Sequence, residues 1–246
     1  MPTPPYRLIA DELRRRILTG DLAPGAVVPG ERLLVEQYDV AAETARRALG
    51  VLAAEGLTET RRGSRTRVRA FRPILRQATK RLARQQWGEG QSIWRADLDE
   101  RPMATDRLSV TEQPCPAHIA PGLGLEPGEA VWVRDRRYLV EGEPVMLATS
   151  YLPAVLVAES PVTLPDTGPG GIYARLTELG YAPVLFREQA RARMPLPEEA
   201  GALALGPGTP VVLIVRYAYA EGGRPVEVNE MTLDASRYLL EWEFPA

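Results

Sequence analysis

One cysteine, one histidine and one lysine are all that these 246 residues contain of the three types, and each scarcity removes a class of chemistry. Cys115 has no second thiol in the chain, which excludes an intrachain disulfide and a cysteine-ligated metal. His118, set between prolines in "CPAHIAP", leaves no histidine pair for acid/base work and no histidine-rich metal site. Lys80 as the lone lysine argues against a Schiff-base cofactor enzyme. Long apolar runs are absent too: none approaches the ~18 residues of a membrane helix, and "MPTPPYRLIADELRRR" has no apolar segment before a cleavage site. The expectation is a cytoplasmic chain with no catalytic set, no metal and no cofactor.

What is present is an ordinary globular composition, 45% hydrophobic and 25% charged, long enough for two domains. Its net charge of −2 conceals a split. Residues 1–87 hold 17 of the 30 basic and 9 of the 32 acidic side chains, a net of +8, which leaves −10 for the rest. A basic module that meets a polyanion, followed by an acidic module with another task, fits that division.

Three helical patterns open the chain. Leu8, Ile9, Leu13, Ile17 and Leu18 recur at helical spacing before "TGDLAPG". "PGERLLVEQYDV" starts at Pro29 and sets Leu33, Leu34 and Tyr38 on one face. "AAETARRALGVLAAEG" sets Ala45, Leu49 and Leu52 inward and stops at Gly56. The short join at Asp39 and Val40 makes the second and third a helix-turn-helix. "LTETRRGSRTRV" then reads as a hairpin turning at Gly63-Ser64, a wing whose Arg61, Arg62 and Arg65 reach phosphates or the minor groove while the third helix enters the major groove.

Residues 27–68, "VVPGERLLVEQYDVAAETARRALGVLAAEGLTETRRGSRTRV", resemble the winged-helix domain of GntR-type bacterial transcription regulators. The resemblance implies a backbone contact at Arg32, recognition-helix contacts at Thr44 and Arg46, and a wing tip at Arg62, Gly63 and Ser64. Arg47 lies on the same exposed helix face. Ala41-Ala42 stand where the family pattern has serine-arginine, and Glu43 beside them is able to accept from a cytosine amino group.

Boundaries are expected at 1–71 for the DNA-binding domain, 72–99 for a linker and 100–246 for a second domain. In the linker, Phe71 to Pro73 reads as extended, with Ile74, Leu75, Ala78 and Leu82 along one side of a short helix. The second domain repeats itself: "LGLEPGEAVWVRDRRYLVEGEPV" aligns with "LALGPGTPVVLIVRYAYAEGGRPV", pairing Arg136 with Arg216. A duplicated β-α-β-β unit follows, which builds an antiparallel sheet with helices on it, an α+β domain. Between the copies, "GPGGIYARLTELGY" is a glycine turn and then a helix N-terminus able to hold an anionic group. Strand alternation places Trp132, Arg134, Arg136 and Tyr138 on one face of their strand, and Glu227 with Asn229 on the face opposite Val226 and Val228; a sheet face carrying Arg, Tyr, Glu and Asn is either solvent-exposed or the floor of a polar small-molecule pocket.

From about residue 100, "RRYLVEGEPVMLATSYLP", "GGIYARLTELGY", "ARARMPLPEEAGALAL" and "RPVEVNEMTLDASRY" resemble the UTRA effector-binding domain of HutC-like GntR regulators, whose fold is similar to chorismate lyase. That resemblance implies a small-molecule effector beside the sheet, met by Arg134, Arg136, Ser150, Tyr173, Glu227, Asn229 and Tyr238. Tyr138 stands where many members carry a further arginine. The whole points to an effector-responsive regulator, a repressor binding palindromic operator DNA as a homodimer. The alternative is an enzyme with a chorismate-lyase-like domain joined to a DNA-binding module.

Overall fold

The structure is a computed structural model and describes residues 3–60, 64–83, 93–94, 97–98 and 101–243. Chain contacts divide it into two compact units, residues 1–72 with 194–196 and 204–210, and residues 73–193 with 197–203 and 211–246.

The first unit has α1 (Pro5–Leu18), α2 (Glu31–Tyr38) and α3 (Ala42–Ala54), then β1 (Thr58–Glu59) and β2 (Arg67–Val68) paired antiparallel. Its core is Ile9, Ala10 and Leu13 from α1, Leu34 from α2, Ala45, Ala48 and Leu52 from α3, and Val68 from β2. Small alanines on α3 let the helices pack closely, which is why the apolar stripe of the recognition helix is so alanine-rich. Leu8, Leu18 and Leu33, expected on inward faces, are exposed. Asp39 ends α2 in the left-handed region at φ 49°, a conformation that a short polar side chain tolerates, and so turns the chain into α3 within four residues.

The second unit begins with a departure from expectation. Ile74–Gln77 is a strand, β3, paired parallel with β10 (Tyr238–Glu241), and only Ala78–Arg81 is helical, as α4. Local spacing favoured one helix, but ladder bonds to a strand more than 160 residues away override it. Arg76 and Arg81 are both buried in this unit.

The main sheet comprises β4 (Met103–Pro114), β5 (Ala130–Val140), β6 (Glu143–Pro153), β7 (Leu185–Arg193), β8 (Val211–Tyr219) and β9 (Pro225–Asp234), in the order β4-β5-β6-β9-β8-β7, with every neighbouring pair antiparallel. The symmetric order is the duplication made visible. β4, α5 (Ala120–Leu123), β5 and β6 form one copy; β7, α8 (Pro197–Ala202), β8 and β9 form the other. The copies meet along β6 and β9, where Ser150 lies opposite Asn229. Between them run α6 (Ala154–Val157) and α7 (Gly171–Glu178), which bury Leu156, Val157, Tyr173 and Leu176 with Leu152, Ala218 and Val226 of the sheet.

Candidate DNA-reading surface and effector cavity

On α3 the buried positions leave Ala42, Glu43, Arg46, Arg47 and Gly50 exposed, with Thr44 half-buried. The Arg46 guanidinium is gripped from two sides. Its Nε and Nη2 donate to the two carboxylate oxygens of Glu31 at 3.2 Å each, and its Nη1 donates to Glu43 at 3.0 Å. Arg47 lies over the ring of Tyr6, 4.0 Å from its centroid. Arg32 is almost fully solvated and pairs at 3.4 Å with Glu36 one turn on. In the wing, Ser64 and Arg65 are exposed, whereas Arg61, Arg62 and Gly63 lie outside the described residues. Exposed pairs of this kind stabilise little and exchange readily for phosphate or base contacts.

In the second unit a cavity of about 410 Å³ opens on one face of the sheet, within the range of small-molecule sites. Six of the eight candidate effector residues line it: Arg134, Arg136, Tyr138, Tyr173, Glu227 and Asn229. Ser150 is fully buried one layer behind, where it accepts from Arg136 and from Asn229 Nδ2. Tyr238 is placed elsewhere, on β10 in a cluster with Ile74, Leu98 and Val145. Its half-buried ring packs against that cluster, on a strand whose pairing with β3 sequence spacing did not disclose.

The cavity residues are held in different ways. Arg134 is almost wholly buried and gives its guanidinium to three backbone carbonyls, of Val162, Leu164 and Pro165. Burial brings its pKa down to about 10, so it stays cationic at neutral pH. Among the described residues neither Arg134 nor Arg136 forms an ion pair with a carboxylate, and the Nε of each is buried without a partner. Tyr173 donates its hydroxyl to Glu227 at 2.6 Å, and burial drives its pKa far up. The N-terminus of α7 also borders the space: Gly170 caps it at φ 77° with no side-chain cap, and Gly171 and Ile172 line the cavity beside it. A positive φ there favours glycine; the Gly171 N–H is taken by the Gly168 carbonyl, and no side chain caps the rest of the first turn, the place where a helix can meet an anion.

Sequence reasoning missed two members. Arg216 on β8 lines the cavity at 1% exposure, 3.8 Å from Glu227, with Nε and Nη1 unpartnered. The internal repeat had already matched it to Arg136, which was the signal available. Trp94 gave no such signal. Its ring carries Arg81 at 4.6 Å and Arg216 at 5.6 Å and stacks on Tyr138 at 4.8 Å. Behind it Arg81 of α4 pairs with Asp97 at 2.6 Å, and the buried pair Arg76–Glu188 ties β3 to β7 of the sheet.

A helix-turn-helix with a wing, in the same chain as an α+β unit whose cavity is built to hold a small molecule, defines a DNA-binding regulator with its own sensor. The models for "Bacterial regulatory proteins, gntR family" and the "UTRA domain" match residues 5–68 and 100–239. An HTH-type transcriptional regulator of Streptomyces coelicolor is 31% identical over 98% of this chain and 93% of its own length. The HTH-type transcriptional repressor NagR of Bacillus subtilis is 25% identical over 96% and 93%. A crystal structure of a GntR-family transcriptional regulator superposes with a TM-score of 0.67, at 29% identity over 99% of this chain and 98% of that one. The chain belongs to the GntR family of bacterial regulatory proteins, in the branch that carries a UTRA domain, and is a transcriptional regulator and not an enzyme.

Proposed function

We propose that this regulator is a repressor that binds a palindromic operator as a homodimer in the cytoplasm and is released by a small anionic effector. DNA reading is assigned to residues 1–71, through Arg32, Glu43, Thr44, Arg46, Arg47 and the wing residues Arg61, Arg62, Gly63, Ser64 and Arg65. Effector sensing is assigned to residues 100–246, through Arg134, Arg136, Tyr138, Tyr173, Glu227 and Asn229, with Ser150 and Tyr238 in support, and residues 72–99 carry the connection.

The observation that carries the effector class is the cavity's excess of positive charge: Arg134, Arg136 and Arg216 line it against Glu227 and Asp166, with neither Arg134 nor Arg136 in an ion pair among the described residues, beside a helix N-terminus that has no side-chain cap. Trp94, Met103, Leu108 and Ile172 add an apolar side, which fits an anion with a hydrophobic body. One recognition helix reads one half-site, so a dimer is what a palindrome requires. The repressor role draws on the relative named as one. Effector binding would favour an arrangement of the two winged helices that no longer matches the half-site spacing, a coupling of about 1–3 kcal/mol.

Fluorescence anisotropy of the full chain against its own upstream DNA, at two salt concentrations and with Arg46→Ala as control, tests the reading. Tight, salt-weakened binding that collapses in the variant and is released by an anionic metabolite is the expected result. Binding no tighter than to random DNA would refute it.

A further inference from the structure

Glu43 is the anomaly of the recognition helix. It lies in the first turn of α3, the end that a helix-turn-helix points at base edges, and its side chain is 78% exposed. A carboxylate there faces the phosphates of both strands, a repulsion with no return unless it meets a donor. The donors that the major groove offers a carboxylate are the exocyclic amino groups, that of cytosine above all.

The neighbouring geometry supplies the rest of the argument. Glu31, from the first turn of α2, occupies the Nε/Nη2 edge of Arg46 with both oxygens. That bidentate pairing biases the plane of the guanidinium, and its Nη1/Nη2 edge is the one that can approach a base once the Nη1 contact to Glu43 is exchanged. On that same edge Nη1 is bonded to Glu43. An arginine edge of this kind matches O6 and N7 of guanine, while an adjacent carboxylate matches the N4 amino group of cytosine. Donor and acceptor therefore stand side by side on one helix face, three residues apart, with Glu31 paired to the same guanidinium.

We infer that Glu43 and Arg46 act together as a base-reading pair: Arg46 takes a guanine, Glu43 accepts from a cytosine of the next base pair, and Glu31 is the positioning residue that aims Arg46. Ala41 and Ala42, small and exposed beside them, leave the groove floor open for Glu43 to reach. The inference rests on the DNA-reading function and adds to it the identity of a base and the residue that selects it.

The alternative explanation of Glu43 is local. A carboxylate in the first turn favours the helix dipole, and an i,i+3 partner steadies Arg46. The two explanations separate cleanly in an experiment on the full-length protein with a randomised duplex library, followed by binding titrations on the selected site. The wild type is expected to select half-sites with a fixed cytosine next to a fixed guanine. Replacing that C·G pair with T·A weakens wild-type binding by about tenfold, the range of one good base contact. For Glu43→Ala the same replacement changes affinity by less than about twofold, with every other selected position retained, and Glu43→Gln shifts the selected base towards adenine. A Glu43→Ala protein that selects the same cytosine as strongly as the wild type overturns the inference, whatever its melting temperature. Uniformly tighter binding by the variant to all sequences overturns it as well, because Glu43 would then only repel phosphate. If the wild type selects no sequence at all, the DNA-reading function fails first, and that outcome is distinct from a retained cytosine.

Discussion

Arg136 on β5 and Arg216 on β8 occupy matching places in the two copies of the duplicated unit, and both face the same cavity. Duplication has thus set two guanidinium groups across one binding space, each with a buried nitrogen that lacks a partner. Orphaned buried donors cost about 1–3 kcal/mol apiece, and an anionic ligand is the group that would satisfy them.

Arg136→Met is expected to abolish effector binding while leaving the fold intact, because Arg136 is half-buried at the cavity wall. Thermal shift against a panel of carboxylates and phosphate esters measures this. A ligand at a hundred times its Kd adds about 2.7 kcal/mol of stability, several degrees in Tm for a unit of this size. The variant should show no rise with the compound that raises the wild type.

Trp94→Phe should remove a fluorescence signal. Trp94 lines the cavity and stacks on Tyr138, so its emission is expected to change on ligand binding. If the ligand-dependent change survives in the variant, the reporting indole lies elsewhere.

Acid sensitivity follows from Glu188. Burial is the largest single influence and opposes its ionisation, but the hydrogen bond from Arg76 and the positive charges of Arg76, Arg216 and Arg81 together outweigh it and hold the carboxyl below its ordinary range. A folded pKa below the unfolded one means that the unfolded chain binds more protons in between, so stability rises with pH there. The contribution is complete above the ordinary value of about 4.3 and is lost as pH falls through the lower folded value. Glu188→Gln should lower stability near pH 7 by about 3–5 kcal/mol, since it leaves Arg76 buried and unpaired, and flatten the decline between pH 5 and 3. Urea denaturation at several pH values measures both.

Leu52→Ala should cost about 2–5 kcal/mol, because Leu52 is wholly buried in the core of the first unit. DNA affinity should fall as that unit unfolds, whereas the ligand-induced thermal shift of the second unit persists.

Much of this was readable before any coordinates, and the exceptions have physical reasons. The helix-turn-helix followed from apolar spacing and from turn residues, both local. The duplicated unit followed from its Pro-Gly and Glu-Gly turns, which fix where strands start and stop. Alternation put Arg134, Arg136 and Tyr138 on one face, and the cavity lies on that face. Where the sequence misled, distant residues decided: β3 is a strand only because β10 lies beside it, and Tyr238 stands on β10, packed against the core. Arg216 was overlooked because its neighbours in "VVLIVRYAY" are apolar, which reads as plain interior until the cavity is seen.

The interior of the sensor carries an ionic imbalance that has a cost in the cell. Arg134 and Arg136 at the cavity have no ion-pair partner among the described residues, and if an anion fills the space as proposed, the empty form would be the weaker one and would spend more time open to proteases. Under the proposed release, a metabolite that fills the space would then lengthen the lifetime of the very protein it takes off DNA. Abundance would climb with the signal, so that when the metabolite runs out a larger pool of regulator stands ready to close the promoter again.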